Sequence, residues 1–116
     1  MSSYNNEAAE AIPAIAIAPH EWTIVSGILQ RHLPGWEVWA YGSRARRERV
    51  SKYSDLDIAI AGERVEPAVL RELIEAFDEC LLPFKVDVVE VAAISPEFRQ
   101  RIEADKVVLQ SAGVNH

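Results

Sequence analysis

Two aspartates, Asp55 and Asp57, stand one residue apart at the start of an apolar run, Leu56 to Ile60. On a strand, residues i and i+2 point to the same face about 7 Å apart, so the two carboxylates can converge on a shared pair of divalent cations. Gly42-Ser43 closes an earlier apolar segment: the glycine lets the backbone come close to a phosphate, and Ser43 offers a hydroxyl and an N–H at an expected helix start. Between these motifs run Arg44, Arg46, Arg47, Arg49 and Lys52, five of the twelve basic residues of the chain. A third acid, Asp87, lies within KVDVVEV. A carboxylate in such a strand is costly unless it is solvated, paired or bound to a cation. Three close carboxylates repel one another, and divalent cations would relieve that repulsion. The pattern is that of a site for a metal-bound triphosphate. Arg46, then Arg44, are the candidates for phosphate contact, with a solvated basic loop as the alternative reading.

The elements that must position these residues follow from periodicity. Trp22, Val25, Ile28, Leu29 and Leu33 recur at three and four, which predicts a helix from Pro19 that Pro34-Gly35 ends. A strand is expected over Trp36 to Tyr41, with Val38 and Ala40 on one face and Trp39 and Tyr41 on the other. Packing is the favoured account of both aromatics, although that face is a possible approach to the site. Leu56, Ile58 and Ile60 alternate with Asp55, Asp57 and Ala59, giving one face to the core and the other to chemistry. Pro67 opens a second helix whose apolar stripe is Leu70, Leu73, Phe77, Cys80 and Leu81. In the strand from Lys85 to Val91, Val86 and Val88 point inward and Asp87 outward, while Glu90 is expected at a solvated rim. Ser95-Pro96-Glu97 has the order of a helix N-cap, with Phe98 and Ile102 on the apolar face. Val107 to Leu109 supplies a last strand. The expected fold is α/β (α+β), a small mixed sheet covered by helices on one face. It comprises a flexible leader over 1–18, one domain over 19–110 and a tail over 111–116.

Composition bounds the function. A chain of 116 residues, 49% apolar, has the size of one compact domain. A net charge of -6 argues against a general nucleic-acid surface, which needs many cations against phosphates. The clustered arginines suit a small polyphosphate better than a duplex. The apolar stretch Ala11 to Ala18 is too short to span a bilayer, and Glu7 and Glu10 precede it where a secretory signal would be basic. Cys80 is the single cysteine, so an internal disulfide and a multi-thiolate zinc site are excluded. Its apolar neighbours make it a buried helix residue rather than a nucleophile, and a reducing, cytoplasmic setting is expected. His20, His32 and His116 show no ligand spacing.

The ordered set of Gly42-Ser43, Asp55-x-Asp57 and Asp87 on expected strands resembles the nucleotidyltransferase superfamily of DNA polymerase β. More closely, YGSRARR, SDLDIAI, VDVVEV and the closing FRQRIEADKVVL resemble the minimal nucleotidyltransferases, or MNT proteins, usually paired with a HEPN-domain partner. The loop between Ser43 and Asp55 is one residue longer than is common among close relatives, which leaves the roles of individual loop arginines open. The resemblance implies a polymerase β-like fold and transfer of a nucleoside monophosphate from a nucleoside triphosphate, ATP being expected. It assigns Asp55, Asp57 and Asp87 to two Mg²⁺ ions and to catalysis, and Gly42, Ser43, Arg44 and Arg46 to the nucleotide. The implied acceptor is a tyrosine of a HEPN ribonuclease toxin, so that the chain acts as an antitoxin within a hetero-oligomer. Two alternatives remain: a non-catalytic partner that masks its toxin sterically, and a small-molecule nucleotidyltransferase of the aminoglycoside-modifying type. The short chain, without a second domain for an acceptor, disfavours the latter.

Overall fold

The computed structural model describes residues 11–113. Helix α1 (Pro19–His32) leads into β1 (Val38–Tyr41), a single helical turn α2 (Ser43–Arg46) and β2 (Leu56–Ile60). Helix α3 (Pro67–Glu79), β3 (Val86–Glu90), α4 (Pro96–Asp105) and β4 (Val107–Gln110) complete the chain. The four strands form one mixed sheet in the order β3-β2-β1-β4. Strand β1 runs antiparallel to β2 and β4, and β2 runs parallel to β3.

Period-2 alternation assigns each strand two faces, and both are used. Val38, Ala40, Leu56, Ile58, Ile60 and Val86 face α1 and α3, where they meet Val25, Leu29, Leu33, Leu73 and Phe77 in the main core. Each fully buried side chain of this size contributes about 1.5–3 kcal/mol through removal of apolar surface from water. The opposite face is not bare. Trp39 and Ala59 would be left in water there, and Ile102 of α4 packs over them with Val91 in a second, smaller core. Helix α4 therefore covers one end of the second face and leaves the other end open. Its start is set as the residue order predicts: Ser95 Oγ accepts the N–H of Phe98 at 3.1 Å, and Pro96 follows at the first position.

Three expectations are corrected. The latter part of the leader is not loose: Ile15 is buried, Ile17 packs on the core, and Ala16 N–H donates to Arg44 O at 2.9 Å. The rest of the expected leader, residues 1–10, and the end of the tail, 114–116, lie outside the described residues. Helix α3 ends at Glu79, two residues short of the expected Leu81, so Leu81 is 89% exposed, and Cys80 caps the helix half-buried with its thiol donating to Phe77 O at 3.0 Å. Glu90 is only 7% exposed rather than solvated, because its carboxylate accepts the otherwise unpaired N–H of Val65 at 2.9 Å. Among the described residues, no helix is long and apolar enough to cross a membrane.

Candidate functional site

The strand registers build the centre of the site. Tyr41 is the antiparallel partner of Asp57, and Asp57 is the parallel partner of Asp87. Directly opposed residues point to one face, so the three side chains form a row across the sheet on the face away from α1 and α3. Asp55 lies two residues before Asp57, just ahead of β2 and exposed. The chain reaches the row through Gly42, whose φ of 80° and ψ of -158° belong to a region that side chains beyond glycine rarely adopt. A Cβ at this position would stand 2.5 Å from Asp57 Oδ2. Glycine is needed here both for the turn and for the close approach to the carboxylate.

Electrostatics marks Asp57 as the strained member. Its carboxyl is pushed up to about 6, first by burial, then by the charges of Asp87 and Asp55, with Arg46 opposing. Burial, and then the charges of Asp57 and Asp87, push the Tyr41 phenol up to about 12. Asp87 is 45% exposed at its side chain and has Lys85 Nζ at 3.8 Å, too long and too solvated to neutralise it. Among the described residues, no three His, Cys, Asp or Glu side chains already form a metal cage. The donor set nevertheless fits Mg²⁺, a hard cation that is usually held by one or two carboxylates together with substrate phosphates and water. Asp57 and Asp87 are such a pair, and their mutual repulsion favours a cation between them.

The two candidate arginines part company. Arg44 is buried, 4% exposed, and points into the fold instead of toward the Gly-Ser turn. Its guanidinium donates to Ser54 O at 2.8 Å, to Ala16 O at 2.7 Å and to Ser51 O and Lys52 O at 3.3 Å each, and lies 4.0 Å over the Phe84 ring. Burial holds its pKa below the usual arginine value, with Glu21 and Asp55 opposing. A group so occupied is not placed to bind phosphate; it is a structural tie, which corrects the expectation. Arg46 is exposed and lines a cleft of about 260 Å³ together with Gly42, Ser43 and Asp57. It is not idle, since its guanidinium meets Asp105 at 2.8 Å and Glu48 at 3.4 Å.

The far wall of that cleft is α4, through Phe98, Arg101 and Asp105. Sequence reasoning does not single these residues out as members of the site. Their spacing at 98, 101, 102 and 105 is a helical face that mixes apolar with charged side chains, and that mixture is the signal a buried stripe would not show. The aromatic pair of β1 also divides. Tyr41 stays in the cleft, edge-on to Phe98 with ring centroids 5.8 Å apart, whereas Trp39 is sealed under α4 with Lys106 Nζ 3.9 Å above it.

A glycine turn against a strand aspartate, a second aspartate beside it in register and a cleft that brings two arginines to them are what a nucleotidyltransferase needs. The chain belongs to that family: the model described as polymerase beta, nucleotidyltransferase, matches residues 26–113. Among curated proteins it is similar to the probable protein adenylyltransferase MntA of Haemophilus influenzae, at 43% identity over 95 residues that cover 81% of this chain and 82% of that one. A toxin–antitoxin crystal structure with AMP-PNP shares the fold at a TM-score of 0.63 and 20% identity, covering 78% of this chain and 73% of that one. The structure of a tri-AMPylated Shewanella oneidensis HEPN toxin in complex with MNT antitoxin shares it at 0.58 and 18%, covering 78% and 69%.

Proposed function

We propose that this chain transfers AMP from ATP to a hydroxyl of a HEPN-type toxin, a tyrosine for preference, and thereby acts as its antitoxin in the cytoplasm. The observation that carries the reading is the in-register pairing of Asp57 with Asp87 beside a glycine whose missing side chain leaves room for the Asp57 carboxylate. Support for the protein acceptor comes from the 43% identity to a probable protein adenylyltransferase. Asp57 and Asp87 would hold Mg²⁺, with Asp55 at the rim, and the metal when bound would supply charge neutralisation for the triphosphate and the departing pyrophosphate. Ser43 and Arg46 hold the phosphates on the α2 side of the cleft. The acceptor oxygen forms a bond to the α-phosphorus, the bond from that phosphorus to the bridging oxygen breaks, and pyrophosphate leaves. The acceptor proton passes to Asp87, whose half-exposed carboxylate returns it to solvent. A phenol suits this step because, at a reference pKa of about 10, it gives up its proton more readily than an aliphatic alcohol.

The test is co-expression with a HEPN partner, followed by incubation with Mg²⁺ and ATP labelled at the α-phosphate. Label on a partner tyrosine that is lost in Asp57→Ala and Asp87→Ala supports the reading. Normal neutralisation of the toxin without label overturns it in favour of a steric antitoxin, and label on a small alcohol without the partner overturns it in favour of a small-molecule enzyme.

A further inference from the structure

The cleft that contains Asp57 has two walls, and only the α2 wall carries residues assigned above to the nucleotide. Its charges do not suffice for a polyphosphate. Asp57 and Asp105 are both in the lining, and the guanidinium of Arg46 is already shared between Asp105 at 2.8 Å and Glu48 at 3.4 Å. On α4, Arg99 is engaged on the outer face by Glu103 at 3.1 Å. Arg101 lines the cleft from the same helix and, among the described residues, has no carboxylate within ion-pair distance and makes no hydrogen bond through its side chain. It is the uncommitted cation of the cleft. Arg101 is exposed at the mouth of the cleft, free to turn toward a ligand, and Phe98 and Tyr41, an edge-to-face aromatic pair, line the cleft with it.

We infer that Arg101 is a substrate-binding residue that grips the triphosphate from the α4 wall, across the cleft from Ser43 and Arg46. The inference rests on the nucleotide reading of the site and adds a residue and a wall to it. A guanidinium presents a planar fork that matches two phosphate oxygens, which a lysine ammonium does not. The Arg46–Asp105 pair already links α2 to the end of α4, and a triphosphate bound to both arginines would add a second link between these helices.

The experiment measures AMP-PNP binding with Mg²⁺ by calorimetry on the whole chain. Arg101→Ala is expected to weaken binding about tenfold or more, the loss of a charge-assisted contact, with Arg101→Lys in between and Arg99→Ala unchanged. Tripolyphosphate should compete with AMP-PNP on the wild type and much less on Arg101→Ala, and the melting temperatures should agree. Wild-type affinity in Arg101→Ala overturns the inference. So does a loss for AMP-PNP with undiminished tripolyphosphate competition, since the arginine would then contact the nucleoside. Failure of the wild type itself to bind AMP-PNP would instead overturn the nucleotide reading of the whole site.

Discussion

Replacing Asp57 by asparagine should make the metal-free protein more stable while abolishing transfer. The carboxyl of Asp57 is raised from 3.8 to about 6 in the folded chain. Between these values the folded state holds a proton that the unfolded state has released, so stability is greatest below about 4 and falls as pH rises through about 6. At about 1.4 kcal/mol per unit, a shift of this size corresponds to about 3 kcal/mol at neutral pH. The group is only partly buried, and screening by solvent reduces the figure to about 1 kcal/mol. The amide introduced by Asp57→Asn carries no charge and gains an N–H donor facing Asp87. In EDTA at pH 8, thermal unfolding of Asp57→Asn is therefore expected about 4 °C above wild type, with the difference vanishing near pH 4. A variant that melts well below wild type at pH 8, or an offset that does not change with pH, would show that the carboxylate holds the fold together and would refute the account by burial and repulsion.

Gly42→Ala must force a side chain into a glycine-only conformation and against Asp57 Oδ2, at a cost of about 1–3 kcal/mol from the backbone alone; transfer should fall at least a hundredfold, read against the thermal shift. Arg44→Met leaves the carbonyls of Ala16, Ser51, Lys52 and Ser54 without their donor; a loss of about 3 kcal/mol in denaturant unfolding is expected, with faster amide exchange confined first to 51–56.

The sheet is readable because its strands are short β-prone runs, and the alternation in Leu56-Asp57-Ile58 and Val86-Asp87-Val88 puts Asp57 and Asp87 opposite the core side of their strands. The register itself, with Tyr41, Asp57 and Asp87 in one row, is a property of pairing between distant segments. The direction of Arg44 was hidden for a related reason. Its partners are carbonyls at 16 and 51–54 and the ring of Phe84, and a carbonyl looks the same whatever side chain it carries. Glu90 looked like a rim residue because its one strong partner, the N–H of Val65, is also main chain. Helix α4 was expected, but its place on the second face was not, since an apolar pair such as Phe98 and Ile102 does not specify which side of a sheet it will cover.

The way Arg44 is held also says which changes in the loop before Asp55 the protein can absorb over generations. Its contacts there are to the carbonyls of Ser51, Lys52 and Ser54, so side chains at 51 and 52 can drift without altering what the guanidinium sees. Length is another matter. Adding or deleting one residue between Ser51 and Ser54 displaces the carbonyls by about 3.8 Å, beyond hydrogen-bond range. Between Arg47 and Val50, where Arg47 and Arg49 take positive φ of 60° and 55°, the guanidinium of Arg44 makes no hydrogen bond and sets no count. Lineages of this fold should therefore differ freely in residue count before Ser51 and stay locked in count after it, however much the letters change.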